Sequence, residues 1–130
     1  MDDLLHRWIA MSKQDYAVAK HLFENFYPKP LEIICYHSQQ SAEKAIKTVI
    51  LSLGAEGGLP RKHDLTFLLN QIKNQVDIDD SVLSAADRLN AYSVNVRYPD
   101  ELFLEKKDAE NALKYAEEIL AWAEKYIDEI

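Results

Sequence analysis

Apolar residues recur along nearly the whole chain at the three-and-four spacing of a helix that buries one face. Leu5, Trp8, Ile9, Ser12, Tyr16, Ala19, Phe23 and Phe26 form a first stripe, with Lys13, Asp15, Lys20 and Glu24 off it. Pro28 and Pro30 stop this helix, because proline lacks the amide hydrogen and disfavours a helical residue before it. A second stripe runs from about Leu31 to Leu53 through Ile34, Cys35, Ser38, Ala42, Ala45, Ile46, Val49 and Ile50. Gly54, Gly57 and Gly58 follow it. Asp64 is placed to cap a short helix carrying Leu65, Leu68, Leu69 and Ile72. Asp79, Asp80 and Ser81 offer caps to a fourth helix with Val82, Leu83, Ala86, Leu89 and Tyr92, which should end before Pro99. From near Glu105 a last helix aligns Ala109, Ala112, Leu113, Ala116, Ile119, Leu120, Ala123 and Ile127. No stretch alternates as a strand does. The pattern predicts an all-α fold, an antiparallel up-down bundle of four to five helices in a single domain over residues 1–130.

Composition narrows the function. The net charge of −7 falls wholly in residues 66–130, where 7 basic residues face 14 acidic ones; residues 1–65 carry 8 of each. An extended nucleic acid is therefore not expected as partner, since such binding needs a basic surface. Cys35 is the only cysteine, which excludes an internal disulfide and a cysteine-based zinc site. No histidine spacing resembles a metal motif, and no glycine-rich loop follows a strand, so neither a metal nor catalytic residues are expected. No apolar run approaches the length of a membrane span. The opening Met-Asp-Asp-Leu-Leu-His has no basic stretch leading into an apolar one. The compartment expected is the cytoplasm.

Three places carry candidate chemistry. On the second helix, at 100° per residue, His37, Gln40, Lys44 and Lys47 fall within an arc of about 80°. A donor-rich stripe of this kind holds phosphate oxygens, or is the solvated side of an amphipathic helix. In Pro60-Arg61-Lys62-His63-Asp64-Leu65, three basic or ionisable groups precede a helix N-terminus that favours anions. Asp64, as cap, competes with an incoming anion there. In Tyr92-Ser93-Val94-Asn95-Val96-Arg97-Tyr98-Pro99-Asp100, Arg97 offers a planar five-donor fork, and Tyr92 or Tyr98 a surface on which a base stacks. The competing arrangement pairs Arg97 with Asp100 or Glu101 and leaves the tyrosines to finish the core. Cys35 lies on the apolar stripe and reads as a buried small residue.

Together the segments Tyr36-His37-Ser38-Gln39-Gln40-Ser41-Ala42-Glu43-Lys44-Ala45-Ile46-Lys47, Lys62-His63-Asp64-Leu65 and Arg97-Tyr98-Pro99-Asp100 resemble the HEPN family, named for its occurrence in higher eukaryotes and prokaryotes and for nucleotide binding. The alanine-rich Asp108-Ala109-Glu110-Asn111-Ala112-Leu113 completes the likeness. The resemblance implies a helical bundle that forms a homodimer and pairs with a minimal nucleotidyltransferase in a toxin–antitoxin-like module. Many members of the family are RNA-cleaving toxins whose active site is an arginine followed a few residues later by a histidine. Here neither Arg88 nor Arg97 is so followed, and no histidine occurs after His63. The resemblance then implies a nucleotide-binding module with ATP or GTP as ligand and no required cofactor. Lys44, Lys47 and Arg97 would hold phosphates, with His63, His37 and Gln40 as hydrogen-bonding groups and Tyr92 or Tyr98 stacking on the base. Family behaviour also makes one of these two tyrosines a candidate for nucleotidylation. Two alternatives stand beside it. One is a ribonuclease toxin in which His63 or His37 replaces the missing histidine. The other is a purely dimeric interaction module, because the aromatics Trp8, Tyr16, Phe23, Trp122 and Tyr126 exceed what one small bundle readily buries.

Overall fold

The computed structural model describes residues 3–54, 62–95 and 104–128. They form five helices: α1 (Asp3–Asn25), α2 (Leu31–Ser52), α3 (Leu65–Ile72), α4 (Asp80–Asn95) and α5 (Lys106–Asp128). No strand occurs among the described residues. The all-α bundle expected from the pattern is what forms.

Helix α2 is the axis of the fold. It packs along both α1 and α5, and α4 and α3 close the remaining side. From Ser41 to Ile50 every residue but Lys44 is buried, so this stretch is enclosed on all sides. Small side chains make that enclosure possible. Ala19, Ala42, Ala45, Ala109, Ala112, Ala116 and Ala123 are fully buried, and they let helices approach where larger residues would hold them apart. Larger groups, among them Ile34, Ile46, Leu65, Leu68, Leu69, Leu89 and Ile119, fill the space between the layers.

The α1–α2 contact is fixed by a reciprocal polar lock. Ser12 Oγ donates to the Ser41 carbonyl at 2.7 Å, and Ser41 Oγ donates to the Ser12 carbonyl at 2.8 Å, with both residues fully buried. Each hydroxyl satisfies itself on the facing backbone, so two polar side chains sit in the core at no unpaired cost. Where α1 ends, Lys29 donates to the Phe23 carbonyl and its ammonium lies 4.7 Å from the centroid of the Phe23 ring. This places a cation on the negative end of the helix. Phe26 falls one residue beyond α1 and is 55% exposed, so it is not part of the core stripe that the spacing suggested. At the other end of α2, Gly54 adopts φ +67°, the left-handed conformation that glycine enters without a Cβ clash.

Helix α3 starts as its sequence predicts: Asp64 accepts from the Phe67 amide at 3.1 Å. The link between α3 and α4 is fastened to α5, because Trp122 Nε1 and Tyr126 Oη both donate to the Asp77 carbonyl, at 3.0 and 2.6 Å.

Two outcomes follow. Ser12→Ala should lower stability by about 1 kcal/mol, one buried hydrogen bond, whereas Ser12→Leu should cost about 1–3 kcal/mol by forcing α1 off α2. Urea denaturation read by circular dichroism gives both values. The second concerns alkali. Burial, with the Asp108 and Glu32 charges, pushes the Cys35 thiol from 9.0 up to about 12; burial and Asp108 likewise move the Tyr92 phenol from 10.0 to about 12. The unfolded chain therefore releases these protons first. Their contribution to stability is complete below about pH 9 and is lost as pH rises toward about 12. The fall in the urea midpoint from about pH 8.5 to about pH 11 should be smaller in Cys35→Ala than in the parent chain.

Candidate functional site

The polar stripe of α2 is not an open row of donors. Two carboxylates organise it. Asp15 of α1 accepts from Lys44 Nζ at 2.5 Å through Oδ2 and meets His37 Nδ1 at 3.0 Å through Oδ1. Glu43, one residue before Lys44, takes Lys47 Nζ at 3.2 Å on Oε2 and His63 Nδ1 at 2.9 Å on Oε1. Each carboxylate thus holds one ammonium and one imidazole. Gln40 lies between His37 and Lys44 along the helix, donating to Gln39 Oε1 at 3.0 Å.

Burial separates the two clusters in character. The Glu43 side chain is 6% exposed and Lys47 only 10%, while His63 is 69% exposed. A buried carboxylate holds the Nδ1 edge of the ring and leaves the rest of it in solvent. With the carboxylate as acceptor, Nδ1 carries the proton, and Nε2 of the neutral ring keeps its lone pair. In the Asp15 cluster all three side chains are mostly covered.

The position of His63 is set by more than its ring. Gln39, fully buried, donates from Nε2 to the His63 carbonyl at 3.3 Å. The next residue is the cap Asp64, and Asn90 of α4 clamps it. Asn90 Nδ2 donates to Asp64 Oδ1 at 2.9 Å and to Thr66 Oγ1 at 3.1 Å, while Asn90 Oδ1 accepts from the Leu65 amide at 2.7 Å. The amides of Leu65 and Phe67 are thereby occupied, so they are closed to a ligand anion. Of the loop cations, Lys62 sits with its ammonium 5.1 Å from the centroid of the Phe67 ring.

The structure brings His63 and Lys47 together through Glu43, and His37 and Lys44 through Asp15. It does not bring Tyr92 to them. That phenol lies between α4 and α5, 3.5 Å from both the carbonyl and Oδ1 of Asp108, half-buried and held protonated up to about 12. Arg97 and Tyr98, expected as phosphate ligand and base platform, lie outside the described residues. Sequence reasoning missed the residues that organise the site: Asp15, Gln39, Glu43 and Asn90. Only Glu43 left a local trace, four residues before Lys47 at the spacing of a helical ion pair. Among the described residues no group of three or more His, Cys, Asp or Glu could hold a metal ion, and no helix is long and apolar enough to cross a membrane.

Solved structures share this architecture over nearly the whole chain. TT1696 from Thermus thermophilus superposes with a TM-score of 0.79 at 26% identity, covering 96% of this chain and 99% of that one. A HEPN domain protein from Thermotoga maritima gives 0.74 at 26% identity, covering 96% and 100%. ST0689, an archaeal HEPN homologue, gives 0.72 at 26% identity, covering 93% and 95%. In sequence the chain is 30% identical over 139 residues to the Methanocaldococcus jannaschii protein named "Putative toxin MJ1304", covering 94% of this chain and 87% of that one. The family model for the HEPN domain matches residues 5–126, and the chain belongs to the HEPN family.

Proposed function

We propose that the protein is a toxin-like HEPN module that binds the phosphate of a nucleotide such as ATP or GTP at the Glu43–Lys47–His63 cluster. It acts as a homodimer beside a small nucleotidyltransferase. The observation that carries the reading is the buried Glu43 carboxylate, which holds an ammonium and a largely exposed imidazole side by side. The toxin named among its relatives supports the toxin-like part of the reading.

Charge decides how such a site works. Along the stripe two ammonium groups balance two carboxylates, so the net charge is set by His37 and His63. It is zero with neutral rings and +2 with both protonated. Arg97 would add a donor that cannot lose its charge.

Titration of labelled ATP and GTP tests this. His63→Ala and Arg97→Ala should each weaken binding by about tenfold or more, the loss of one charge-assisted hydrogen bond. No binding at millimolar nucleotide, or binding that His63→Ala leaves intact, overturns the proposal.

A second reading rests on the same imidazole. Nδ1 anchored on a buried carboxylate with Nε2 open is the arrangement of a general base. Nε2 would take the proton of an RNA 2′-hydroxyl as its oxygen attacks the adjacent phosphorus, while the P–O5′ bond breaks and the departing 5′-oxygen takes a proton from water, leaving a 2′,3′-cyclic phosphate and a 5′-hydroxyl. Under this reading expression arrests growth and His63→Ala abolishes the arrest; harmless expression of the parent chain refutes it.

A further inference from the structure

Gln39 is fully buried on α2, and an amide in that position is stable only with both of its ends hydrogen-bonded. Its Oε1 accepts from Gln40 Nε2 at 3.0 Å. With the oxygen so engaged, the amino end is the one turned to the His63 carbonyl, 3.3 Å away. That carbonyl lies outside the ladder of α3. The first backbone acceptor of the helix is the next one, at Asp64, which takes the Leu68 amide at 3.0 Å.

Glu43 stands four residues after Gln39, one turn along the same side of α2. It meets His63 Nδ1 at 2.9 Å. A single helix thus holds one residue from across the loop at two points, its main chain by an amide and its ring by a carboxylate. The ring is 69% exposed, so little packing restrains it. A bond to Nδ1 alone leaves the ring to swing with its backbone, and a bond to the carbonyl alone leaves rotation about Cα–Cβ free. Held by both, Nε2 keeps one direction. Asn90 grips the residues after the ring, Asp64, Leu65 and Thr66, whereas Gln39 acts on His63 itself.

The geometry points to Gln39 as a positioning residue for His63, which together with Glu43 aims Nε2 at the phosphate. This rests on the reading of His63 as a ligand group and adds what orients it.

Gln39→Met is close in volume and removes the donor. ATP affinity should fall about three- to tenfold, the cost of ordering a freed side chain on binding. In a His63→Ala background the same change should leave affinity as it is, because its effect passes through the ring. An affinity untouched in the parent chain, or lowered equally in both backgrounds, overturns the proposal. Nitrogen NMR of the ligand-free protein reads the ring directly. With His63 neutral, the parent should show Nδ1 protonated and Nε2 bare, and Gln39→Met should draw the two shifts together as the second tautomer is populated. Shifts that stay apart overturn the proposal. A parent chain that binds no ATP refutes the nucleotide reading, and the ring spectrum alone then decides on Gln39. Circular dichroism checks that Gln39→Met keeps its helices; where it does not, Gln39→Asn, polar but one carbon shorter, replaces it.

Discussion

A carboxylate buried among helices is tolerable only if its charge is met on the spot; left alone, an ion in that position costs several kcal/mol. Glu43 meets the condition with two partners from different parts of the chain. Lys47 comes from the next turn of the same helix, and its supply is local. His63 comes from across a loop, and it can arrive only if α3 starts where Asp64 and Asn90 make it start. The burial of one side chain therefore constrains the register of α2, the entry of α3 and the placement of α4.

The surrounding core makes that burial unavoidable. With alanines lining the contacts, α2 is enclosed almost completely between Ser41 and Ile50, and any polar residue in that stretch must find its partners inside the protein. Ser41 finds a backbone carbonyl of α1, Thr48 donates to the Lys44 carbonyl one turn back, and Glu43 finds the Lys47 ammonium and the His63 ring. Among the described residues no buried side-chain nitrogen or oxygen is left without a hydrogen bond. The candidate site is thus the outer end of a core polar network, with the His63 ring as its exposed terminus.

The helices were legible in the sequence because their signals are local. Proline at 28 and 30, glycine at 54 and aspartate at 64 each act within one turn, and the α-helical period persists between them. The donors His37, Gln40, Lys44 and Lys47 were legible as one arc for the same reason. Their acceptors were not. Asp15 lies 22 residues from His37 and Glu43 lies 20 from His63, and nothing in a helical period announces which carboxylate a distant imidazole will meet. Two apolar stripes of α1 lie side by side, so spacing merges them, and Trp8 and Phe26 read as core although one is half-buried and the other exposed. Only the packing of α2 tells the covered stripe from the bare one.

Asn90 gives the fold a mechanical linkage. One side chain grips the cap, the first amide and the hydroxyl of Thr66 at the start of α3, and the imidazole sits one residue before that grip. Helix α4 is thereby a lever whose short arm ends at His63. Its other arm runs on to Asn95, five positions further along the helix. A ligand or partner that turns α4 at that end would swing the ring without touching it, and the stiffness of a single amide side chain would determine how much of the motion arrives.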